Sequence, residues 1–369
     1  METLLKLAAS EPSLASSPAF NAALDAVCAQ KDCGASHLYW YTDLEAARAA
    51  AKRTGRPILS LRLLGRLDEE LSCANSRFFR MVLYANASVS RELRERFVLH
   101  WQSERPVPKV TVDFGDGRRL VGTVTGNSIH YILDSNGRLV DALPGLYGPG
   151  AFLKRLEDAA QEAAVLGDLT DAEFGSGLIT YHEERLATQA AALVEDFSHV
   201  SAKPVEMARA AVATVWQTRG TGSAAAEEAS WRAASKSYVE WPLLTAVLPN
   251  AGQPPGFEGN FEMIIPFHRM EAKLDAASRR LLIAKGGAWV GDKTLNALEN
   301  FQHLIGEDTV KNEYVLHGVI HSWLASGKGV PDLKKFDERV YSQLFLTPAS
   351  DPWLGLGPTE LFSVLTPAG

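Results

Sequence analysis

Between residues 37 and about 158 the spacing of apolar positions alternates between helical and strand periods. Asp43 to Arg53 (DLEAARAAAKR) predicts a helix with Asp43 as its N-cap, closed by Gly55 and Pro57. Ile58 to Leu64 (ILSLRLL) is a short continuous apolar run, the pattern of a buried strand. Ser72 to Tyr84 predicts a second helix, with Phe78, Phe79, Val82 and Leu83 at core spacing. A third, from Asn86 to Arg96, is capped by Asn86 or Ser88. Phe97 to Trp101 predicts a strand. Two hairpins follow: Val110–Phe114 with Leu120–Val124 around Asp116-Gly117, and Ile129–Leu133 with Leu139–Leu143 around Ser135-Asn136-Gly137. A helix from Pro149 to about Ala164 closes this stretch.

Beyond residue 165 the strand signal vanishes. Helical periods at 171–198, 204–218, 224–238, 266–284, 292–305, 309–325 and 333–345 are separated by Gly- and Pro-containing loops such as Pro249–Gly259. Upstream, residues 1–36 are rich in Ala and Ser and hold one short helix, Pro18 to Cys28. The expected organisation is an N-terminal extension (1–36), an α/β domain (37–165) and a mainly α-helical domain (166–369). Segment 344–356 (LFLTPASDPWLGL) is too apolar for a free tail, and Trp353 is its expected anchor onto the bundle.

Composition narrows the function classes. The 369 residues carry a net charge of −7, which gives no electrostatic reason to expect nucleic acid or an anionic membrane as partner. No apolar run approaches the roughly 18 residues of a membrane span, and the N-terminus makes a poor signal peptide. The expected location is therefore cytoplasmic. Three cysteines, Cys28, Cys33 and Cys73, exclude a disulfide scaffold. The chain has no P-loop, dinucleotide-binding G-x-G-x-x-G, G-x-S-x-G elbow or kinase signature, which weighs against those enzyme classes.

The element order between Tyr39 and Asp158 resembles the thioredoxin-like fold. Gly55-Arg56-Pro57-Ile58-Leu59-Ser60-Leu61 is similar to the strand that leads to the thiol site in that family. Gly126 to Arg138 resembles its segment ending in a hairpin, and Asp141 to Pro149 resembles its closing strand and helix start. The resemblance covers about 120 residues, a third of the chain, and implies a thioredoxin-like α/β domain with redox chemistry at a helix N-terminus. It places Cys73 at the first thiol position and Ser76 where the resolving thiol belongs. A serine cannot close the intramolecular disulfide, so two-thiol turnover through this motif is lost. The connection Gly65 to Leu71 is also several residues longer than usual. Ser128 stands where the family carries a cis-proline, and a trans bond is expected there because a cis bond without proline costs about 3 kcal/mol. His130, two residues on, is expected on the same sheet face as Ser128.

Cys73 is then either a buried core thiol or a low-pKa monothiol at a helix start, with Asn75, Ser76, Ser128 and His130 forming its groove. Cys28 and Cys33, spaced C-x4-C, read first as two ordinary loop thiols. A disulfide, half of a metal site, or resolution of Cys73 across space are the other readings.

In the helical half, Glu313, His317 and His321 (NEYVLHGVIH) repeat at a spacing of four. They share one helix face with Val310, Ile320 and Leu324. His-x3-His lets two imidazoles share one metal, with zinc, iron or copper as the candidate ion. Gly318 stands where a zincin needs its glutamate, so that general base is missing. The pairs Asp196/His199, His268/Glu271 and Glu299/His303 have helical spacing, but no duplicated Glu-x-x-His of a di-metal bundle occurs.

Three functions fit these residues. One is a thioredoxin-like thiol oxidoreductase that uses Cys73 on a thiol or small-molecule substrate, with the helical domain restricting access. Another is a metal-dependent enzyme or metal-binding protein with ligands from the helical domain. The third is a degenerate thioredoxin-like binding module that needs neither.

Overall fold

The computed structural model describes residues 1–15, 17–217, 260–286, 292–352 and 354. The predicted helix at 224–238, the Pro249–Gly259 loop and Trp353 lie outside the described residues.

The apolar runs form strands β1 (Trp40–Tyr41), β2 (Ile58–Leu64), β3 (Val98–Arg105), β6 (Ser128–Leu133) and β7 (Leu139–Pro144). They make one mixed sheet in the order β1-β3-β2-β6-β7. β1, β3 and β2 run parallel, while β6 is antiparallel to both β2 and β7. Every residue of β2, β6 and β7 is buried, as continuous apolar strands with both faces covered should be. Arg62 on β2 is held by Glu104 (3.3 Å), and Ser60 by the ring of His100 (2.8 Å). The hairpin of β4 (Lys109–Asp113) and β5 (Arg119–Thr123) stands apart as a two-stranded sheet.

The helices that cover this sheet start and stop where the side chains dictate. α1 spans Pro18–Cys28, and α2 (Leu44–Thr54) is capped by the Asp43 carboxylate, which accepts from the Ala46 amide, and closed by Gly55 at φ +69°. α3 (Ala74–Phe78) widens into a π turn, Phe79–Leu83, and α4 (Ala87–Arg96) is capped by Asn86. α5 (Pro149–Gly167) begins on proline. α6 (Asp171–Ser198) opens on a capping box between Thr170 and Glu173. α7 (Pro204–Gln217) packs along α6.

Three of the predicted helices differ from the periodicity. The predicted 266–284 segment is a 3-10 turn, Ile265–His268, followed by α8 (Ala276–Gly286), because Asp275 accepts from the Ser278 amide and starts a new helix there. The predicted 292–305 and 309–325 helices are one run: α9 (Asp292–Lys311), a π turn (Asn312–His317) and α10 (Gly318–Ala325). α11 (Leu333–Arg339) ends in a further π turn, Val340–Leu344.

Sheet and helices share one apolar core, which runs from Leu59 and Tyr131 on the strands to Phe197, Ile320 and Val340 on the helices. The join is tight. The Gly148 amide donates to the Thr309 hydroxyl (2.7 Å), and the Asn312 amide to the Leu146 carbonyl (2.6 Å). A Cβ at Gly148 would lie 2.4 Å from the Glu271 carbonyl oxygen, so only glycine allows this approach. A small satellite core holds Phe20, Leu24, Cys28 and Cys33.

Cys28 and Cys33 are disulfide-bonded rather than two loop thiols. Left-handed residues at Ala29 and Asp32 fold the chain back and bring the two Cα atoms to 6.3 Å. The Asp25 carboxylate fixes the return by accepting from the Cys33 amide. No described helix is long and apolar enough to cross a membrane.

Candidate metal centre

The residues of the expected thiol groove gather around the start of α3. Cys73 is its N-cap, with Sγ accepting from the Ser76 amide at 3.4 Å. The Ser72 hydroxyl donates to the Ser76 hydroxyl oxygen (2.9 Å), and the Asn75 amide to the Ser128 hydroxyl (2.6 Å). No peptide bond among the described residues is cis, Ser128 included. The neighbouring Gly126 leaves no room over the thiol: a Cβ there would lie 2.6 Å from Cys73 Cβ and 3.2 Å from its Sγ. Cys73 is fully buried, as are Asn75, Ser76 and Ser128. His130 lies two residues along the same face of β6 as Ser128, but outside the groove. Its ring lies between Phe79 and Phe152, and its Nε2 bonds the Tyr84 hydroxyl at 2.7 Å. Burial pushes its pKa down to about 3 and raises that of Tyr84, so both are neutral at pH 7. The structure thus joins Cys73 with Ser76 and Asn75 with Ser128, and gives His130 to a separate aromatic pocket.

A second constellation forms where the helices meet β7. The π turn carries Glu313 and His317, and α10 carries His321, so all three stay on the inward face as their spacing predicts. π turns inside helices are frequent at functional sites. His317 Nε2 lies 3.0 Å from Asp141 Oδ1 on β7, and its Nδ1 lies 3.5 Å from Glu313. Glu313 is in turn paired with Arg155 on α5 at 3.1 Å. Asp141 also accepts from the Ala142 amide (2.7 Å) and from the Tyr181 hydroxyl on α6 (3.0 Å). His321 stacks on His317 with ring centres 3.9 Å apart, and its Nδ1 lies 3.9 Å from Asp141 Oδ1. On the other side His321 Nδ1 meets His182 Nδ1 of α6 at 2.8 Å. His182 Nε2 donates to the Val140 carbonyl (2.9 Å).

Charge in this cluster is set by burial and by neighbours. Burial alone would push His317 down, but Asp141 and Glu313 outweigh it and hold its pKa at about 9. Burial opposes ionisation of Asp141, yet His317, through its charge and its hydrogen bond, outweighs that and holds it well below the ordinary carboxylate range. Glu313 is held at about 2 against its burial by His317 and Arg155. Burial and the imidazolium of His317 push His321 well below its ordinary value. Without a metal the cluster is therefore a chain of alternating charges, Arg155–Glu313–His317–Asp141, beside two neutral imidazoles. Asp141, His317 and His321 offer donor atoms that all lie within 4.8 Å of one another, each residue buried.

Two of these partners escape sequence spacing. Asp141 and His182 lie on elements far from α10 in the chain, and only the fold brings them to it. Asp141 leaves one trace, a carboxylate inside the otherwise apolar run LVDALP. Glu313 turns to the far nitrogen of His317, and Asp141 takes the place beside both imidazoles. The remaining spaced pairs are partly rearranged. His268 does meet Glu271 (2.7 Å), but it also takes Asp196 (3.0 Å), while His199 pairs with Glu195 and His303 with Glu307. Comparison of the chain with protein-family models, with curated proteins and with solved structures returns no match.

Proposed function

We propose that this chain is a metal-binding protein whose centre is formed by Asp141, His317 and His321 at the join between sheet and helices. The observation that carries this reading is the convergence of three buried donors within 4.8 Å. Two imidazoles and one carboxylate suit a first-row transition dication, and not calcium or magnesium, which prefer all-oxygen sets. Glu313 fits the role of the outer carboxylate that orients a ligating histidine through its second nitrogen, and Tyr181 orients Asp141 in the same way. The ion would supply Lewis-acid or structural chemistry. The chain's own residues hold it, align its imidazoles and keep water out.

The sheet that carries Asp141 is, in this reading, a thioredoxin-like domain that has lost dithiol chemistry. The strand order β1-β3-β2-β6-β7 with β6 antiparallel supports that assignment, as do Ser76 and Ser128 at the resolving-thiol and cis-proline positions. A second reading keeps Cys73 as a reactive monothiol. It is favoured by the Sγ position at the start of α3, where the Ser76 amide donates to it. Metal analysis of protein purified without added metal or chelator tests the first reading. About one equivalent is expected, lost in the His317→Ala/His321→Ala double variant. Substoichiometric metal that survives both substitutions would sink it.

A further inference from the structure

Resting on that metal reading, we propose that His182 is a fourth ligand, so that the centre is a closed, tetrahedral three-histidine, one-aspartate site of the zinc type. The donor atoms are Asp141 Oδ1, His317 Nε2, His321 Nδ1 and His182 Nδ1. Three of the six distances among them are fixed by the contacts above: 3.0 Å from His317 to Asp141, 3.9 Å from His321 to Asp141 and 2.8 Å from His182 to His321. An ion bonded at ~2.0–2.1 Å in a tetrahedron needs donor separations of ~3.3–3.4 Å, which those values straddle. The ring centres of His182 and His321 are 5.1 Å apart. That is close to the ~5.1 Å of two imidazoles on one tetrahedral ion, whereas the rings of His317 and His321, 3.9 Å apart, must part by ~1.2 Å, and the His182 ring must swing inward to join the three donors that already lie within 4.8 Å of one another.

The tautomer of His182 is already set for this role. Its Nε2 must carry hydrogen, because the Val140 carbonyl can only accept, so the lone pair of the neutral ring lies on Nδ1 and faces His321. A hydrogen bond from the far nitrogen to a backbone carbonyl is the usual support for a ligating histidine. In the metal-free protein the proton in the 2.8 Å gap belongs to His321 Nδ1; for that atom to ligate, the proton moves to His321 Nε2 and the ring stays neutral.

Closure follows from burial. His182, His317 and His321 are each 0% exposed and Asp141 2%. Four protein donors with no solvent at the ion are the mark of a structural zinc site, whereas catalytic zinc keeps a position for water. The ligands come from β7, α6, the π turn and α10, so the ion fastens the helical region to the sheet. The centre should take zinc or cobalt(II) in preference to magnesium or calcium, whose oxygen-ligand preference it cannot meet.

X-ray absorption on the zinc-loaded full-length protein counts the imidazoles, and the visible spectrum of the cobalt(II) form reports geometry. Three imidazoles and intense tetrahedral cobalt bands are expected. His182→Ala should weaken zinc binding by more than the ~10–100-fold typical of an outer-shell partner, and shift cobalt toward the weak bands of higher coordination. Two imidazoles, or weak octahedral bands in the wild-type protein, would overturn the proposal and place His182 behind His321 as its hydrogen-bond partner, leaving the three-residue centre intact. Absence of any stoichiometric metal would overturn both. Because the wild-type spectra decide the coordination, a His182 variant that fails to fold does not block the test.

Discussion

Changing Asp141 to asparagine removes one charge from the buried cluster and almost nothing else. The asparagine carbonyl can stand in the place of Oδ1 and still accept from the Ala142 amide and from His317 Nε2. Its amide then faces the Tyr181 hydroxyl, which can rotate to accept. What is lost is the counter-charge at 3.0 Å from the imidazolium of His317, leaving it only Glu313 at 3.5 Å. Breaking a buried ion pair by removing one partner costs ~3–5 kcal/mol, and the retained hydrogen bonds put this case near ~3 kcal/mol. With a urea m-value of ~3 kcal/mol/M, the unfolding midpoint of the metal-free protein should fall by ~1 M. Removing both charges in Asp141→Asn/His317→Gln should recover at least ~1 kcal/mol of that loss, since the uncompensated cation is gone. Glu45→Gln, at an exposed ion pair with Arg48, should move stability by no more than ~0.5 kcal/mol. A midpoint shift under ~0.3 M for Asp141→Asn (about 1 kcal/mol at that m-value) would refute the view that His317 is a buried cation held by Asp141.

Other consequences can be checked separately. His268, clasped by Asp196 and Glu271 beside Tyr314, has a pKa of about 9 against an ordinary 6.5, because those carboxylates outweigh its burial. Its folded-state pKa is raised, so its contribution of about 3 kcal/mol is complete below pH 6.5 and is lost as pH rises through 9. Denaturation midpoints across that window should decline, and His268→Gln should flatten the decline. Gly126→Ala should destabilise the start of α3 by forcing a Cβ to 2.6 Å from Cys73 Cβ. Cys73→Gly should relieve that cost, which a double-mutant cycle would register as coupling of 1 kcal/mol or more. Thiol titration in denaturant should find one thiol before reduction and three after, as one disulfide among three cysteines requires. Cutting that short loop should cost ~2 kcal/mol, confined to the Phe20–Leu24 satellite core. In the folded protein Cys73 should resist alkylating reagents, since it is fully buried. Rapid modification at neutral pH would instead favour the monothiol reading.

The elements whose signals are local were legible in the sequence. The Asp43 cap and Gly55 stop of α2, the apolar run of β2 and both hairpin turns need only neighbouring residues to be recognised. So does the inward face shared by Glu313, His317 and His321, because four-residue spacing fixes direction on any helix. Capping by Asp275, the continuous α9–α10 run and the Cys28–Cys33 bond were less visible. Each depends on a turn geometry or a packing contact that local periodicity does not encode.

The partners of the imidazoles belong to neither class. A helix can present His317 and His321, but it cannot say what they meet. Asp141 arrives from β7 and His182 from α6 because the strand order and the close approaches at Gly148 and Asn312 set the helices against the sheet. Forces acting over a few residues account for most of the helices and strands and for the pair of histidines. That Asp141 stands beside that pair while Glu313 turns behind it follows from packing between distant parts of the chain. Burial made that choice binding, since charges taken out of water must find opposite charge or a metal wherever the fold supplies one.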